Sequence, residues 1–351
     1  MAKNNFESDL IKRINGKWET MTPTLQIQVY KNGLKKIDLQ FGPYYKNYDL
    51  ASLTKALFTS RIFMNQFEAK KWDSMTEVKN TLTWWSDPET KILDLFTHHA
   101  GLEWWKPFYK DLNLLPENEQ LRMNILENII SKISLQKSEK SVYSDLDMFV
   151  LGFILQNWTN KNLLENWNSN QSHWDLKGNL HFNKVFNNNL SNSKTELLSY
   201  APTEFETGIV HDENARALGG VAPHAGLFGS IDDVSEYLLL LRNILKNPED
   251  KKNPVQFKTL TWFLTRAIQP NVGDWAIGWM MPTPGSASSG KYFDPSSVGH
   301  TGFTGTSMWW DLKKDLIVVI LSNRVAMGRE NKQFAQLRPF LHDQVIEVLN
   351  L

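Results

Sequence analysis

An α+β fold, with an antiparallel β-sheet flanked by helices and an inserted, mainly helical region, is predicted by three features of the 351-residue chain. Alternating apolar and polar residues mark a hairpin near each end. Apolar residues at helical spacing follow the first hairpin and the second. Between them lies a long run of helical patches and polar loops, the pattern of one sheet built from both ends of a chain.

The first hairpin is "TLQIQVYKNGLKKIDLQFG", which alternates on both sides of Asn32-Gly33, a pair suited to a two-residue turn. After Ser52, the residues Leu53, Ala56, Leu57, Phe63, Met64 and Phe67 fall at helical spacing, so a largely buried helix begins with Ser52 in its first turn. From about residue 76 to 214 come helical patches such as "LRMNILENIISKI" and "DLDMFVLGFILQNW", with an Asn-rich stretch from 157 to 194. The segment "SIDDVSEYLLLLRNIL" is a helix whose serine and aspartates suit its N-terminus. "TSMWWDLKKDLIVVILSNR" reads as the second hairpin, turning near Lys313-Lys314, and "NKQFAQLRPFLHDQVIEVLNL" as a closing helix. The expected organisation is a discontinuous sheet domain, 1–75 and 215–351, and a mainly helical domain, 76–214, with a cleft where they meet.

A 41% hydrophobic content with 12% aromatics supports a packed core, and the 38 basic and 38 acidic side chains cancel. No global field favours nucleic acid or an anionic membrane. The opening "MAKNNFESDLIKRINGKW" lacks the apolar run of a signal peptide, and no segment has the roughly 18 apolar residues of a membrane span. A cytoplasmic chain is therefore expected. With no cysteine, disulfides, thiolate metal sites and cysteine nucleophiles are excluded, so covalent chemistry must use an oxygen or a lysine.

"YDLASLTKAL" offers both. On a helix, Ser52 and Lys55 share a face about 5 to 6 Å apart, and the helix N-terminus supplies N–H groups that stabilise developing negative charge. Serine is also a common N-cap, a reading without chemistry. The same spacing recurs at Ser134 to Lys137, Ser191 to Lys194 and Ser288 to Lys291. What distinguishes Ser52 is order: Tyr143-Ser144-Asp145 and then His300-Thr301-Gly302 follow it.

With these three boxes the chain resembles the serine β-lactamase and penicillin-binding protein superfamily, whose signature is S-x-x-K, S-D-N and K-T-G. The likeness is to the branch of class C β-lactamases, carboxylesterases and D-alanyl-D-alanine peptidases. "LDLFTHHAGL" and "VHDENARALGGVAPHAGLFGSIDDV" strengthen it, and it runs from about residue 24 to 348. The resemblance implies a β-lactamase/transpeptidase-like fold and an acyl-enzyme on Ser52, with Lys55 and Tyr143 managing the proton. It also implies an oxyanion hole from the N–H groups of Ser52 and Phe303, and substrate contacts from Asp145, His300, Thr301 and Gly302.

The second box matches either as Ser144-Asp145-Leu146 or as Tyr143-Ser144-Asp145. The tyrosine register is favoured because a phenol can exchange a proton whereas leucine cannot; Tyr143 and Asp145 could alternatively cap the following helix. Asp145 beside Lys55 would raise the lysine pKa, and a cationic Lys55 would lower that of Tyr143, making tyrosine the proton acceptor. His300 stands where the family has lysine and is mostly neutral near pH 7, which weakens the demand for a carboxylated substrate. Gly302 is expected to let substrate lie along the strand edge.

A serine hydrolase of small esters, amides or peptides follows, with an esterase preferred. A β-lactamase or D-alanyl-D-alanine peptidase is the alternative, and a non-catalytic binding or regulatory protein with the same fold is the alternative of another class. The class A deacylation glutamate has no E-x-x-L-N counterpart, and there is no G-x-S-x-G elbow. His98-His99 and His211-Asp212-Glu213 lack the spacing of H-E-x-x-H, so no metal or cofactor is assigned. Trp104, Trp105, Trp275 and Trp279 are read as core or cleft walls that favour an apolar acyl or alcohol group.

Overall fold

The computed structural model describes residues 5–186 and 197–351. The Ser191 to Lys194 spacing and the end of the Asn-rich stretch lie outside these residues.

Strands β1 (Leu25–Lys31) and β2 (Leu34–Phe41) form the first hairpin, with Asn32 and Gly33 both at positive φ, 54° and 77°. β3 (Tyr48–Asp49), β4 (His181–Phe182) and β5 (Leu227–Gly229) make a small separate sheet in the order β3-β5-β4. The short β6 (Trp275–Ala276), β7 (Trp279–Met280) and β8 (Val298–Thr301) precede the second hairpin, β9 (Ser307–Asp311) and β10 (Leu316–Ser322). Antiparallel pairing gives one seven-stranded sheet in the order β2-β1-β10-β9-β8-β7-β6. Strands from the two ends of the chain therefore pair within it, Ile27 of β1 lying opposite Ile320 of β10.

Every residue of β10 is buried, and the reason is that both faces of the sheet are covered. Ile317, Val319 and Leu321 join Tyr30 and Trp310 in the main core. Leu316, Val318 and Ile320 join Leu25, Ile27 and Val29 in a second core, closed by α1 (Asn5–Ile14) and the last helix, α11 (Phe334–Leu349). The run "LIVVIL" is continuous rather than alternating for that reason.

On the other face lies α9 (Ile231–Lys246), started by a reciprocal cap between Ser230 and Asp233, with α10 (Phe257–Leu264) packed against it. The helix after Ser52 is wound as a π-helix over Lys55–Ser60 and continues as α2 (Arg61–Glu68). It buries Leu53, Ala56, Leu57, Phe63 and Met64 as its spacing predicts, together with the polar Lys55, Thr59, Ser60 and Arg61.

The central region supplies α3 (Ile92–Phe96), α4 (Tyr109–Leu112), α5 (Glu119–Ile130), α6 (Asp145–Thr159) and α7 (Leu163–Trp174), and the short α8 (Glu213–Ala217) follows. α6 is buried continuously from Leu146 to Leu155, as an internal helix must be when it is apolar all round. Its N-cap is Ser144, whose Oγ accepts from Leu146 N–H at 3.1 Å and Asp147 N–H at 3.3 Å. That places Tyr143 and Asp145 at the rim of the cleft. Among the described residues no helix is long and apolar enough to cross a membrane.

Candidate active site

Ser52 is presented by a strained turn. Ala51 sits at φ 47°, an uncommon conformation for a residue with a side chain. It is held there by Asp49, whose Oδ1 accepts Ala51 N–H at 2.8 Å while Oδ2 accepts His211 N–H at 2.7 Å. The hydroxyls of Thr304 and Thr306 donate to the carbonyls of Asp49, at 2.7 Å, and Leu50, at 3.1 Å. The turn is thus clamped between the β8–β9 connection and the segment entering α8.

Gly302 lies against the same turn. A Cβ on it would overlap Thr306 Oγ1 and sit 2.8 Å from Leu50 O. Its missing side chain lets the protein pack on itself at the edge of the cleft.

Lys55 is 1% exposed, and its Nζ donates to Asp145 Oδ1 at 2.7 Å, Ser52 Oγ at 3.0 Å and His224 O at 3.3 Å. A carboxylate 2.7 Å away favours the ammonium form, which has no lone pair toward Ser52. Burial alone would pull its pKa down, but Asp145 and Tyr143 more than offset this and hold it above the ordinary lysine value.

Asp212 adds a second carboxylate. Its Oδ1 lies 3.0 Å from His224 Nε2, and ligand atoms of Asp145, Asp212 and His224 all fall within 4.8 Å of one another. Burial would raise the Asp212 pKa, yet His224 and Lys55 hold it below the ordinary range. Such a set of donors can hold a metal ion; here the Lys55 ammonium already supplies the positive charge, and His224 Nε2 is engaged by Asp212.

Tyr143 stacks on Trp275 with ring centroids 5.8 Å apart, and Lys55 Nζ lies 4.8 Å from its ring centre. Its residue surface is 36% exposed, but its hydroxyl is crowded by Lys55 and Ser52. Burial raises the phenol pKa, Lys55 lowers it, and Asp145 raises it again, leaving it above the ordinary value. The expected depression by Lys55 is therefore reversed, because burial outweighs the neighbouring cation.

Beneath Tyr143 lies a buried pair. His98 Nδ1 is 3.1 Å from Asp147 Oδ2 and accepts Ser144 N–H at 3.2 Å. Burial drives the His98 pKa well below and the Asp147 pKa well above their ordinary values, and both shifts disfavour charge on the pair. It braces both the start of α6 and the edge of the Tyr143 ring, 4.9 Å away between centroids.

His300 is 1% exposed, and burial together with Lys55 pushes its pKa down to about 3. Neutrality agrees with expectation, but position does not: its ring packs against Tyr143 and Trp275 and does not line the cleft. Only Thr301, Gly302 and Phe303 of that segment reach the cleft surface. Asp145 lines it too, with its carboxylate turned to Lys55 rather than capping α6. Among the described residues neither Ser52 N–H nor Phe303 N–H is used in a hydrogen bond.

The cleft holds about 680 Å³. One wall is aromatic, where Trp104 and Trp105 stack 5.8 Å apart near Trp275; Trp279 lies instead in the core. Asp49, Asp147 and His224 were not singled out from sequence, and His98 and Asp212 were weighed there only as metal ligands. Asp49, His98, Asp212 and His224 lie in "YDLAS", "FTHHAGL" and "VHDENARALGGVAPHAGLF", which carry a likeness but no spacing that names a chemistry, and Asp147 lies in the apolar run of α6.

The beta-lactamase family model matches residues 14–338. A Salmonella agona protein that carries the name of a D-alanyl-D-alanine carboxypeptidase is 28% identical over 315 residues, covering 79% of this chain and 69% of its own. Among solved structures, EstCE1, described as a hydrolase with promiscuous acyltransferase activity, has a TM-score of 0.66 at 18% identity, covering 96% of this chain and 99% of its own. A penicillin-binding protein homologue from Caulobacter crescentus has a TM-score of 0.70 at 11% identity, covering 98% of each chain. At these identities the two structures speak for the fold alone.

The packing at Gly302 makes a direct prediction. Gly302→Ala forces the β8–β9 connection off the Ser52 turn and lowers the free energy of unfolding by about 1–3 kcal/mol, the usual scale of overpacking. Denaturant unfolding measures it, and an unchanged midpoint would show that the connection yields freely.

Proposed function

Because this chain belongs to the beta-lactamase family, as a serine hydrolase of that fold, we propose that it hydrolyses small esters through an acyl-enzyme on Ser52. The observation that carries the assignment is the Lys55 ammonium, which donates to Ser52 Oγ and so leaves Tyr143 as the group placed to take the serine proton.

In this reading the active form carries Tyr143 as its phenolate, the minor form near neutral pH given its raised pKa; Ser52 Oγ attacks the ester carbon and its proton passes to that phenolate. The oxyanion accepts the N–H groups of Ser52 and Phe303. Collapse breaks the bond to the leaving oxygen, and Tyr143 returns the proton to release an alcohol. Water then enters, gives a proton to Tyr143 and attacks the acyl carbon; Ser52 leaves as the alkoxide and recovers that proton. Lys55 stays charged throughout and stabilises the serine oxygen.

The aromatic wall and the neutral, buried His300 support esters over β-lactams. The name of the Salmonella agona relative supports a second reading, removal of a terminal D-alanine through the same acyl-enzyme.

Ser52→Ala is expected to abolish turnover of short-chain p-nitrophenyl esters and to lose the single fluorophosphonate adduct seen by intact mass. Turnover above about a tenth of wild type would exclude Ser52, since removing a covalent nucleophile costs far more.

The proton route has its own test. Asp145 raises the pKa of both Lys55 and Tyr143, so Asp145→Asn lowers both. The rising limb of kcat/KM, set by Tyr143 losing its proton, and the falling limb, set by Lys55 losing its own, should both move to lower pH. Tyr143→Phe should lower kcat by roughly 10². A Tyr143→Phe enzyme with near-normal kcat returns the base role to Lys55.

A further inference from the structure

We propose that Arg61, with Tyr237 and Trp279, forms a buried halide site behind the nucleophile, where the helical region meets the sheet, and that it takes one small monovalent anion, chloride in ordinary salt. The site is independent of ester hydrolysis at Ser52.

Arg61 opens α2, directly after the π-helix that begins with Lys55, and is 0% exposed. Its Nη2 donates to Gln171 Oε1 at 2.8 Å, while its buried Nε and Nη1 have no partner. Among the described residues no carboxylate answers the charge: burial pulls its pKa down to about 10, and the one titratable group acting on it is Tyr237.

Three rings surround the guanidinium carbon. Trp167 and Trp174 of α7 lie 4.4 Å and 5.6 Å from it, and Tyr237 of α9 lies 6.0 Å from it, measured to ring centres. Ring faces attract the charge, yet they are weak acceptors for N–H groups lying in the guanidinium plane.

Two further unpartnered groups adjoin. Tyr237 Oη is buried without a partner, and so is Nε1 of Trp279, whose ring stacks on Tyr237 with centroids 6.4 Å apart. Burial holds the Tyr237 phenol far above its ordinary pKa, so it keeps its proton to donate. A guanidinium, a phenol and an indole thus bring unused N–H and O–H groups to one closed, aromatic-walled place.

Water could accept from some of these donors but carries no charge, and a guanidinium taken out of water is costly unless an anion compensates it. A halide meets both needs. It accepts from several donors in any direction, and it sheds its hydration at far lower cost than a doubly charged oxyanion such as sulfate. Trp167, Gln171 and Trp174 belong to α7, Tyr237 to α9 and Trp279 to β7, so the ion would tie the helical region to the sheet.

The test is urea unfolding of the full chain, equilibrated from the unfolded side so that no enclosed ion is carried over. Sodium chloride, sodium bromide and sodium gluconate are compared at equal ionic strength, about 0.2 M. The wild-type midpoint should be higher in either halide by roughly 0.3 M urea or more, as when a ligand exceeds its Kd about tenfold. Arg61→Met, which keeps the volume and removes the charge, should lose that gain. Tyr237→Phe should keep it but need roughly 10-fold more halide to reach half of it, the loss of one hydrogen bond to a charged group.

A wild-type midpoint equal in halide and gluconate overturns the proposal, since the rings then hold the charge alone. An equal halide gain in Arg61→Met, the mark of a general salt effect, overturns it too. Where Arg61→Met fails to fold, a wild-type crystal grown in bromide decides: an anomalous peak within hydrogen-bond reach of Arg61 Nε or Nη1 supports the site, and none there is fatal.

Discussion

Burying the Lys55 ammonium is the constraint around which the rest of the site is arranged. At 1% exposure the charge has no water, and the desolvation of such an ion amounts to several kcal/mol even after relaxation. Each of its protons must therefore find an oxygen, and a negative charge must stand close. The oxygens come from the preceding turn, from Asp145, 90 positions away at the start of α6, and from His224, 169 positions away before β5. Asp212, fixed to His224, brings the second negative charge. One nitrogen thus ties three distant parts of the chain together at the cleft.

The backbone beside it is held by the same logic applied to an anion. A non-glycine residue at positive φ costs of order 1–3 kcal/mol and persists only where its surroundings overdetermine it. Ala51 is overdetermined: Asp49 takes its N–H, while Thr304 and Thr306 take the carbonyls on either side of Leu50 N. Asp49 also takes His211 N–H, so the turn that presents Ser52 and the segment that carries Asp212 move as one. The strain leaves Ser52 N–H without a partner, the state an oxyanion donor needs before reaction.

What could be read from the sequence is what local chemistry dictates. Asn32-Gly33, the Ser230 cap and the continuous "LIVVIL" run each declare an element by themselves, and Ser52, Lys55, Tyr143 and Asp145 declare one another by box order. β6, β7 and β8 are two to four residues long and too short for a period to show, and α1 is held by packing against α11 and β2. The pairing of Asp212 with His224 joins residues 12 positions apart, across the short α8 and the turn after it, a spacing that announces nothing. Burial was the least legible quantity. It decides the phenol pKa of Tyr143, the disfavoured charge on His98 and Asp147, and the removal of His300 from the cleft surface, and none of these is written in the residue types.

The histidine of the third box also acquires a physical reason. Position 300 is closed off beneath Tyr143 and Trp275, and Lys55 already disfavours positive charge there. A lysine in that place would be a second buried ammonium near the first, with Asp145 already paired to Lys55 and Asp212 to His224. Each cation would depress the pKa of the other, and the full charge on Lys55 that directs the serine proton to Tyr143 would be weakened. A neutral imidazole fills the volume, gives its Nδ1–H to Thr301 O at 3.0 Å and leaves Lys55 as the only cation against Tyr143.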